Sequence, residues 1–271
     1  LIEGLPTKGV PKNLTGTSYP FKYNDFDGFY KLIEKNPDIG IVKMEVARNE
    51  MPRNNFLEKV REITIKKGII LIFDECTSGF RQTFGGLHKL FKISPDMAIF
   101  GKALGNGYAI NAILGKERIM RSAEETFISS TFWTERIGPT AALKTLEEME
   151  RIKSWKIVTN KGNWLRKKWL DLAKKNNLKI KLSGIPALSR FEILSNNFNK
   201  YRTLIAQEMY KKSILASNTI YISTAHSKEN FLKYFSSLQS IFEIIAKCED
   251  GDKIDNYLDV PEIKKFFKRL N

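Results

Sequence analysis

Cysteine and histidine are almost absent from this chain: Cys76, Cys248, His88 and His226 are the full set among 271 residues. Neither cysteine has a partner at metal-ligand spacing, which argues against a structural zinc site, and no metal is expected. So few unpaired thiols also argue against a disulfide framework and suit the reducing cytoplasm, where we expect the protein to reside. Long apolar runs are missing too. No stretch approaches the roughly 18 residues that a membrane-spanning helix needs, so no membrane partner is expected. The longest candidate, residues 68–73, has the length of a buried strand. The opening Leu1-Ile2-Glu3-Gly4 lacks the basic-then-apolar order of a secretory signal. It also lacks an initiator Met, and we expect the chain to be part of a longer protein.

What is plentiful is positive charge. Lys and Arg number 45 against 30 Asp and Glu, a formal net charge of +15. Such an excess invites a nucleic-acid reading. The basic residues are spread differently: Lys161, Arg166, Lys167, Lys168, Lys174 and Lys175 follow one helical pattern, and Lys264, Lys265, Lys268 and Arg269 crowd the C-terminal end. No aromatic RNA-binding signature, zinc-finger spacing or helix-turn-helix accompanies them. Solvated helix faces are the expected use of this charge, and nucleic acid is not an expected partner. With 42% hydrophobic residues the composition is that of an ordinary globular protein, with enough apolar content for a sizeable core.

The pattern along the chain changes after a turn-rich start. Residues 1–38 hold one helical pattern, at 27–35. Residues 39–45 then read as a strand, 55–67 as an amphipathic helix, and 69–73 as a continuous apolar strand of the kind buried on both faces of a parallel sheet. Further strands are expected at 97–100, 109–114 and 127–131. Strands alternating with helices predict an α/β layered domain with its site at strand ends. From 139 to about 175 the pattern is helical throughout, with a long helix near 148–155 joining the first domain to a smaller α+β one. In that second part, strands are expected at 178–182 and 187–194, and helices at 202–212 and 228–247.

Charged residues interrupt two of the apolar strand ends. Asp74-Glu75 directly follows Ile-Leu-Ile-Phe, and Lys102 follows Met-Ala-Ile-Phe-Gly in front of the Gly-rich loop 101–107. In a parallel sheet such residues project into the crevice at the carboxyl ends of strands, where ligands bind.

These blocks resemble the class III pyridoxal-phosphate (PLP) aminotransferases, the group that includes glutamate-1-semialdehyde 2,1-aminomutase. The resemblance rests on Ile-Leu-Ile-Phe-Asp-Glu-Cys-Thr-Ser-Gly-Phe-Arg (70–81), Pro-Asp-Met-Ala-Ile-Phe-Gly-Lys-Ala-Leu-Gly-Asn-Gly-Tyr (95–108) and Ser-Ser-Thr-Phe-Trp-Thr-Glu (129–135). It implies the large domain of a fold-type I PLP transferase in part, over 1–153, and a smaller C-terminal α+β domain over 154–271. It implies PLP as cofactor, with Lys102 forming the Schiff base and Asp74 facing the pyridine nitrogen. A desolvated lysine amine, its pKa lowered by burial, suits that chemistry and can then move the substrate's α-proton. The resemblance further places Cys76 against one face of the ring, where the family more often has Val or Ile, and Thr77 near the phenolic oxygen. Ser130 and Thr131 match the position that reaches the phosphate of the other subunit's cofactor, which implies a homodimer with shared sites. Glu45 is expected behind the site, with Val46 where the family has Pro, and Arg81 and His226 are expected to be structural.

Two elements that the family carries ahead of this region have no counterpart here: a small-residue loop that cradles the phosphate, and an aromatic that stacks on the ring. By itself the chain is therefore expected to bind PLP poorly. The leading function is amino transfer between an amine or amino-acid donor and a carbonyl acceptor, both small molecules. The intramolecular aminomutase is an alternative; against it, Ser-Ser-Thr-Phe-Trp-Thr-Glu stands where that enzyme has Gly-Asn-Pro after its Thr, so Trp133 and Glu135 suggest another substrate. A basic, catalytically inactive binding relative is the rival from a different class.

Overall fold

Apolar side chains one helical turn apart define the first helix, α1 (Phe26–Lys35), which buries Phe29 and Ile33; Asp25 caps it by accepting the Gly28 N–H at 2.9 Å. This computed structural model describes residues 8–14, 16–129, 131 and 134–263. Strand β1 (Ile41–Met44) follows, then α2 (Phe56–Lys66), whose buried residues Phe56, Leu57, Val60 and Thr64 keep to one stripe. Next come β2 (Ile70–Asp74), β3 (Met97–Phe100) and β4 (Ala112–Gly115).

These four strands form one sheet in the order β1-β2-β3-β4, the first three parallel and β4 antiparallel at the edge. Register places Met44 beside Phe73, and Asp74 beside Ile99. Leu71 and Phe73 of β2 are fully buried, as are Val42 and Met44 of β1 to within a few percent. The alternate residues Ile70 and Ile72 are only half-buried, and Ile41 is exposed. Among the described residues, then, β1, β2 and β3 bury one face and not the other, and on β4 even Leu114, in register with the buried Ala98, is exposed, where burial on both faces was expected.

At the end of the sheet away from the strand carboxyl ends, Asp96 gathers the surrounding elements. Its carboxylate, 3% exposed, accepts two N–H groups of Arg61 on α2 at 2.7 and 3.1 Å, the Leu71 N–H of β2 at 3.0 Å and the Lys116 ammonium after β4 at 2.8 Å. Burial alone would raise its pKa. The Arg61, Leu71 and Lys116 hydrogen bonds outweigh burial and hold the carboxyl well below the usual range.

Beyond a single turn, α3 (Glu117–Met120), the chain carries no strand at 127–129, and Phe127 is 94% exposed. The expected strand over 127–131 therefore does not form in its described part; no neighbouring strand supplies the ladder hydrogen bonds. The helical run 137–175 is two helices, α4 (Ile137–Ile152) and α5 (Ser154–Lys175), separated by Lys153 in the left-handed region at φ 52°. A single joining helix near 148–155 was expected, and this break corrects it.

The chain divides into two compact units, with the boundary between Lys156 and Ile157. In the second, β5 (Ile180–Ser183), β6 (Leu188–Ile193) and β7 (Thr219–Tyr221) form an antiparallel sheet in that order, accompanied by α6 (Phe198–Lys211) and α7 (Lys228–Glu249). Its core centres on Trp169, Phe191 and Phe242 in edge-to-face contact, with ring centroids 4.9 and 5.7 Å apart. The buried Trp169 indole donates to Tyr234 Oη at 2.9 Å, so neither polar atom is stranded.

Asp96 yields a stability prediction. Because its native pKa is depressed, its contribution is present above the unfolded value of about 3.9 and is lost as pH falls through the native value. Asp96→Asn leaves Arg61 without its counter-charge and is expected to cost about 3–5 kcal/mol in urea unfolding at neutral pH. The gap from wild type should narrow progressively below about pH 4.

Candidate active site

The parallel pairing of β2 with β3 brings two chemically distinct chain ends to one edge. Asp74 is the last residue of β2, and Lys102 follows the end of β3 with Gly101 between them. The Glu75 N–H donates to Ile99 O at 2.8 Å, extending the ladder to the exit points of both strands.

After β2 the chain turns tightly. Gly79 N donates to Glu75 O at 2.8 Å, and a Cβ at Gly79 would stand 2.8 Å from that oxygen and 2.8 Å from the Phe100 ring; only glycine fits. Glu75 is fully buried, and its carboxylate accepts the His88 N–H at 3.0 Å, meets His88 Nδ1 at 2.9 Å and accepts the Ser78 hydroxyl. These bonds satisfy the buried carboxyl oxygens and tie the turn to His88. Arg81 Nε donates to Thr77 O at 2.7 Å.

The turn presents Thr77, whose hydroxyl accepts a hydrogen bond from Lys102 Nζ at 2.6 Å. Lys102 itself has φ +46°, a left-handed conformation that costs a non-glycine residue on the order of 1 kcal/mol or more and is found at sites where the surroundings enforce it. Preceding it, Gly101 runs so close to Asn111 that an added Cβ would lie 2.2 Å from Asn111 Oδ1. Lys102 is exposed, whereas a buried amine was expected. Its position at the sheet edge, past the last ladder hydrogen bond, leaves it open among the described residues.

Asp74 Oδ1 accepts the Cys76 N–H at 3.2 Å, and Oδ2 accepts from Lys43 Nζ at 2.8 Å. Burial pushes the Asp74 pKa up, but the Lys43 and Cys76 hydrogen bonds prevail and leave it below the ordinary carboxylate value. Asp74 is thus an ionised acceptor. Cys76 is half-buried; burial first, and then the Asp74 charge, push its thiol pKa up, which disfavours a reactive thiolate.

The remaining expected residues lie elsewhere. Thr131 is exposed in a turn, outside the hydrogen-bonded group around Lys102, and Ser130 and Trp133 fall outside the described residues. Glu45, just past β1, pairs with Arg48 at 2.8 Å. Glu135 caps α4, its carboxylate accepting the N–H groups of Ile137 and Gly138, so its charge complements the helix N-terminus. In the second unit His226 Nδ1 accepts the Ser223 N–H at 3.2 Å. Lys43 was not anticipated. Its signal was the charge within the apolar strand Ile41-Val42-Lys43-Met44, at the alternation that shares a face with Asp74.

A curated 3-aminobutyryl-CoA aminotransferase from Cloacimonas acidaminovorans is 33% identical over 89% of this chain and 61% of its own length. A glutamate-1-semialdehyde 2,1-aminomutase from Methanosphaera stadtmanae is 28% identical over 96% of this chain and 61% of its own. The chain therefore spans about 61% of the length of these relatives. Among solved structures, the PLP internal aldimine form of the FumI protein from Sphingopyxis sp. MTA144 superposes with a TM-score of 0.79 at 20% identity, covering 86% of this chain and 59% of that one. An omega-transaminase from Sphaerobacter thermophilus gives 0.78 at 20% identity, over 89% and 60%. These likenesses establish the fold as that of the fold-type I transaminases. The family model for aminotransferase class-III matches residues 49–235, from the end of β1 through the whole Asp74–Lys102 edge, and the chain belongs to that family.

Proposed function

We propose that the intact protein is a PLP-dependent aminotransferase, moving an amino group between an amine or amino-acid donor and a carbonyl acceptor. The observation that carries this reading is the juxtaposition at the β2–β3 edge: an amine nucleophile, Lys102, hydrogen-bonded at 2.6 Å to Thr77, beside the ionised Asp74. The donor set fits PLP. A primary amine suits the cofactor's aldehyde, a carboxylate suits its ring nitrogen, and a hydroxyl suits its phenolic oxygen. PLP, when bound, supplies an electron sink for the pair left when a Cα–H bond breaks.

The residues have separable tasks in this reading. Lys102 would hold the cofactor through Nζ and, once released, take up the substrate's α-proton as base and give it back as acid. Thr77 orients that amine. Asp74 would hold a proton at the ring nitrogen, since a carboxylate favours the protonated form of a base beside it. Cys76 would contribute a small contact to one face of the ring. Ser130 and Thr131 would reach the phosphate of a neighbouring subunit's cofactor, making the working form a homodimer; the same reading places it in the cytoplasm. The aminomutase relative makes intramolecular transfer a second reading, and the products of a single amino-carbonyl substrate, supplied with no second amine, separate the two.

Borohydride reduction of the PLP-loaded intact protein, followed by peptide mass mapping, is expected to fix the cofactor on Lys102. Labelling of another lysine would refute the assignment. Asp74→Asn should lower kcat by about 10²–10³-fold, in line with the removal of one preorganised electrostatic partner, with the label still on Lys102.

A further inference from the structure

Lys43 is the charged residue of β1, and its neighbours make it conspicuous. Val42 and Met44 turn into the core, so alternation sends Lys43 to the opposite face with Ile41. Across the parallel ladder Lys43 pairs with Ile72, which makes Asp74 its diagonal neighbour on the same face, two residues further along β2. A long side chain spans such a diagonal. The amine reaches Asp74 Oδ2 at 2.8 Å while 54% of the Lys43 side chain remains exposed. The other residues projecting on this face from β1, β2 and β3 are aliphatic: Ile41, Ile70, Ile72, Met97 and Ile99. Asp74 is the group that gives an ammonium a reason to be there.

The consequence lies in how the carboxylate is shared. Oδ1 accepts from Cys76 N and Oδ2 from Lys43; each oxygen keeps a second lone pair, so a further donor would share a carboxylate that already binds a cation. Building on the PLP reading above, we propose that Lys43 is a positioning residue that shares Asp74 with the cofactor's ring nitrogen and lowers that nitrogen's affinity for its proton. Among the described residues, the groups acting on Asp74 are Lys43 from β1 and Cys76, through its backbone N–H and thiol, from the turn after β2; Lys102, after β3, adds positive charge at Cys76. Lys43 is the one of these that bonds the carboxylate as a cation. Lys43 holds Asp74 ionised and in place, and with cofactor bound it would temper the same carboxylate.

Loading the intact protein with nitrogen-labelled PLP tests this in wild type, Lys43→Met and Lys43→Arg. The readouts are the NMR shift of the ring nitrogen and the pH titration of the visible absorbance band. Lys43→Met keeps an unbranched side chain, one atom shorter, but removes the charge. It is expected to move the titration midpoint upward by on the order of one pH unit, the scale set by one partly screened unit charge. The ring-nitrogen signal should move toward its protonated value, while Lys43→Arg stays close to wild type. Superimposable titrations of Lys43→Met and wild type, with borohydride labelling of Lys102 intact in both, would overturn the role of Lys43 alone. Loss of Lys102 labelling in wild type would overturn the PLP reading and this inference together. Should Lys43→Met fail to bind cofactor, Lys43→Gln carries the same expectation of an upward shift and the same refutation.

Discussion

Everything at the candidate site depends on the hydrogen-bonded pairing of β2 with β3. Two parallel strands of matched register end at the same edge, and so Asp74 and Lys102, 28 positions apart in the chain, leave the sheet side by side. Were the register to slip by one residue, Asp74 would turn toward the face that holds Leu71 and Phe73, where a carboxylate has no partner. The aliphatic core thus fixes the position of the charged groups. Asp96, at the far end, ties α2, β2 and the exit of β4 together and keeps those strands in line.

Around this edge the backbone is held in forms that ordinary packing would not select. Lys102 adopts a left-handed conformation, Gly101 passes against Asn111, and Gly79 passes against Phe100. Each is stabilised by its surroundings: the buried Glu75 carboxylate binds Ser78 and His88, and Arg81 braces the carbonyl of Thr77. Such a shell limits the conformations available to Thr77 and Lys102, and a preorganised amine loses little freedom when it reacts. The Lys43–Asp74 pair adds electrostatic control from a neighbouring strand, so the site draws on β1, β2 and β3 rather than on one loop.

Much of this was legible in one dimension. The apolar runs at 69–73 and 97–100 mark strands because their residues are β-branched or aromatic and bounded by turn formers. The stretch 127–131 has the same local character and forms no strand in its described part, since a strand exists only where a neighbour offers a ladder. Lys153 divides a continuous helical pattern at a position that carries neither Gly nor Pro, the residues by which a break would be recognised. Glu135, which stood out as a candidate for substrate choice, accepts the first backbone N–H groups of α4, a local contact that the sequence pattern does not announce.

The sequence by itself determined the chemical inventory: an amine after a buried strand, a carboxylate at the end of another, hydroxyls nearby, and a residue pattern that identifies the family. Spacing and side-chain type are properties of the chain, and they survive without coordinates. Only the tertiary structure decided who partners whom. That Lys43 neutralises Asp74 and that Lys102 donates to Thr77 both follow from strand order and register. Those bring together residues far apart in the chain, and no local pattern encodes an electrostatic interaction that acts through space.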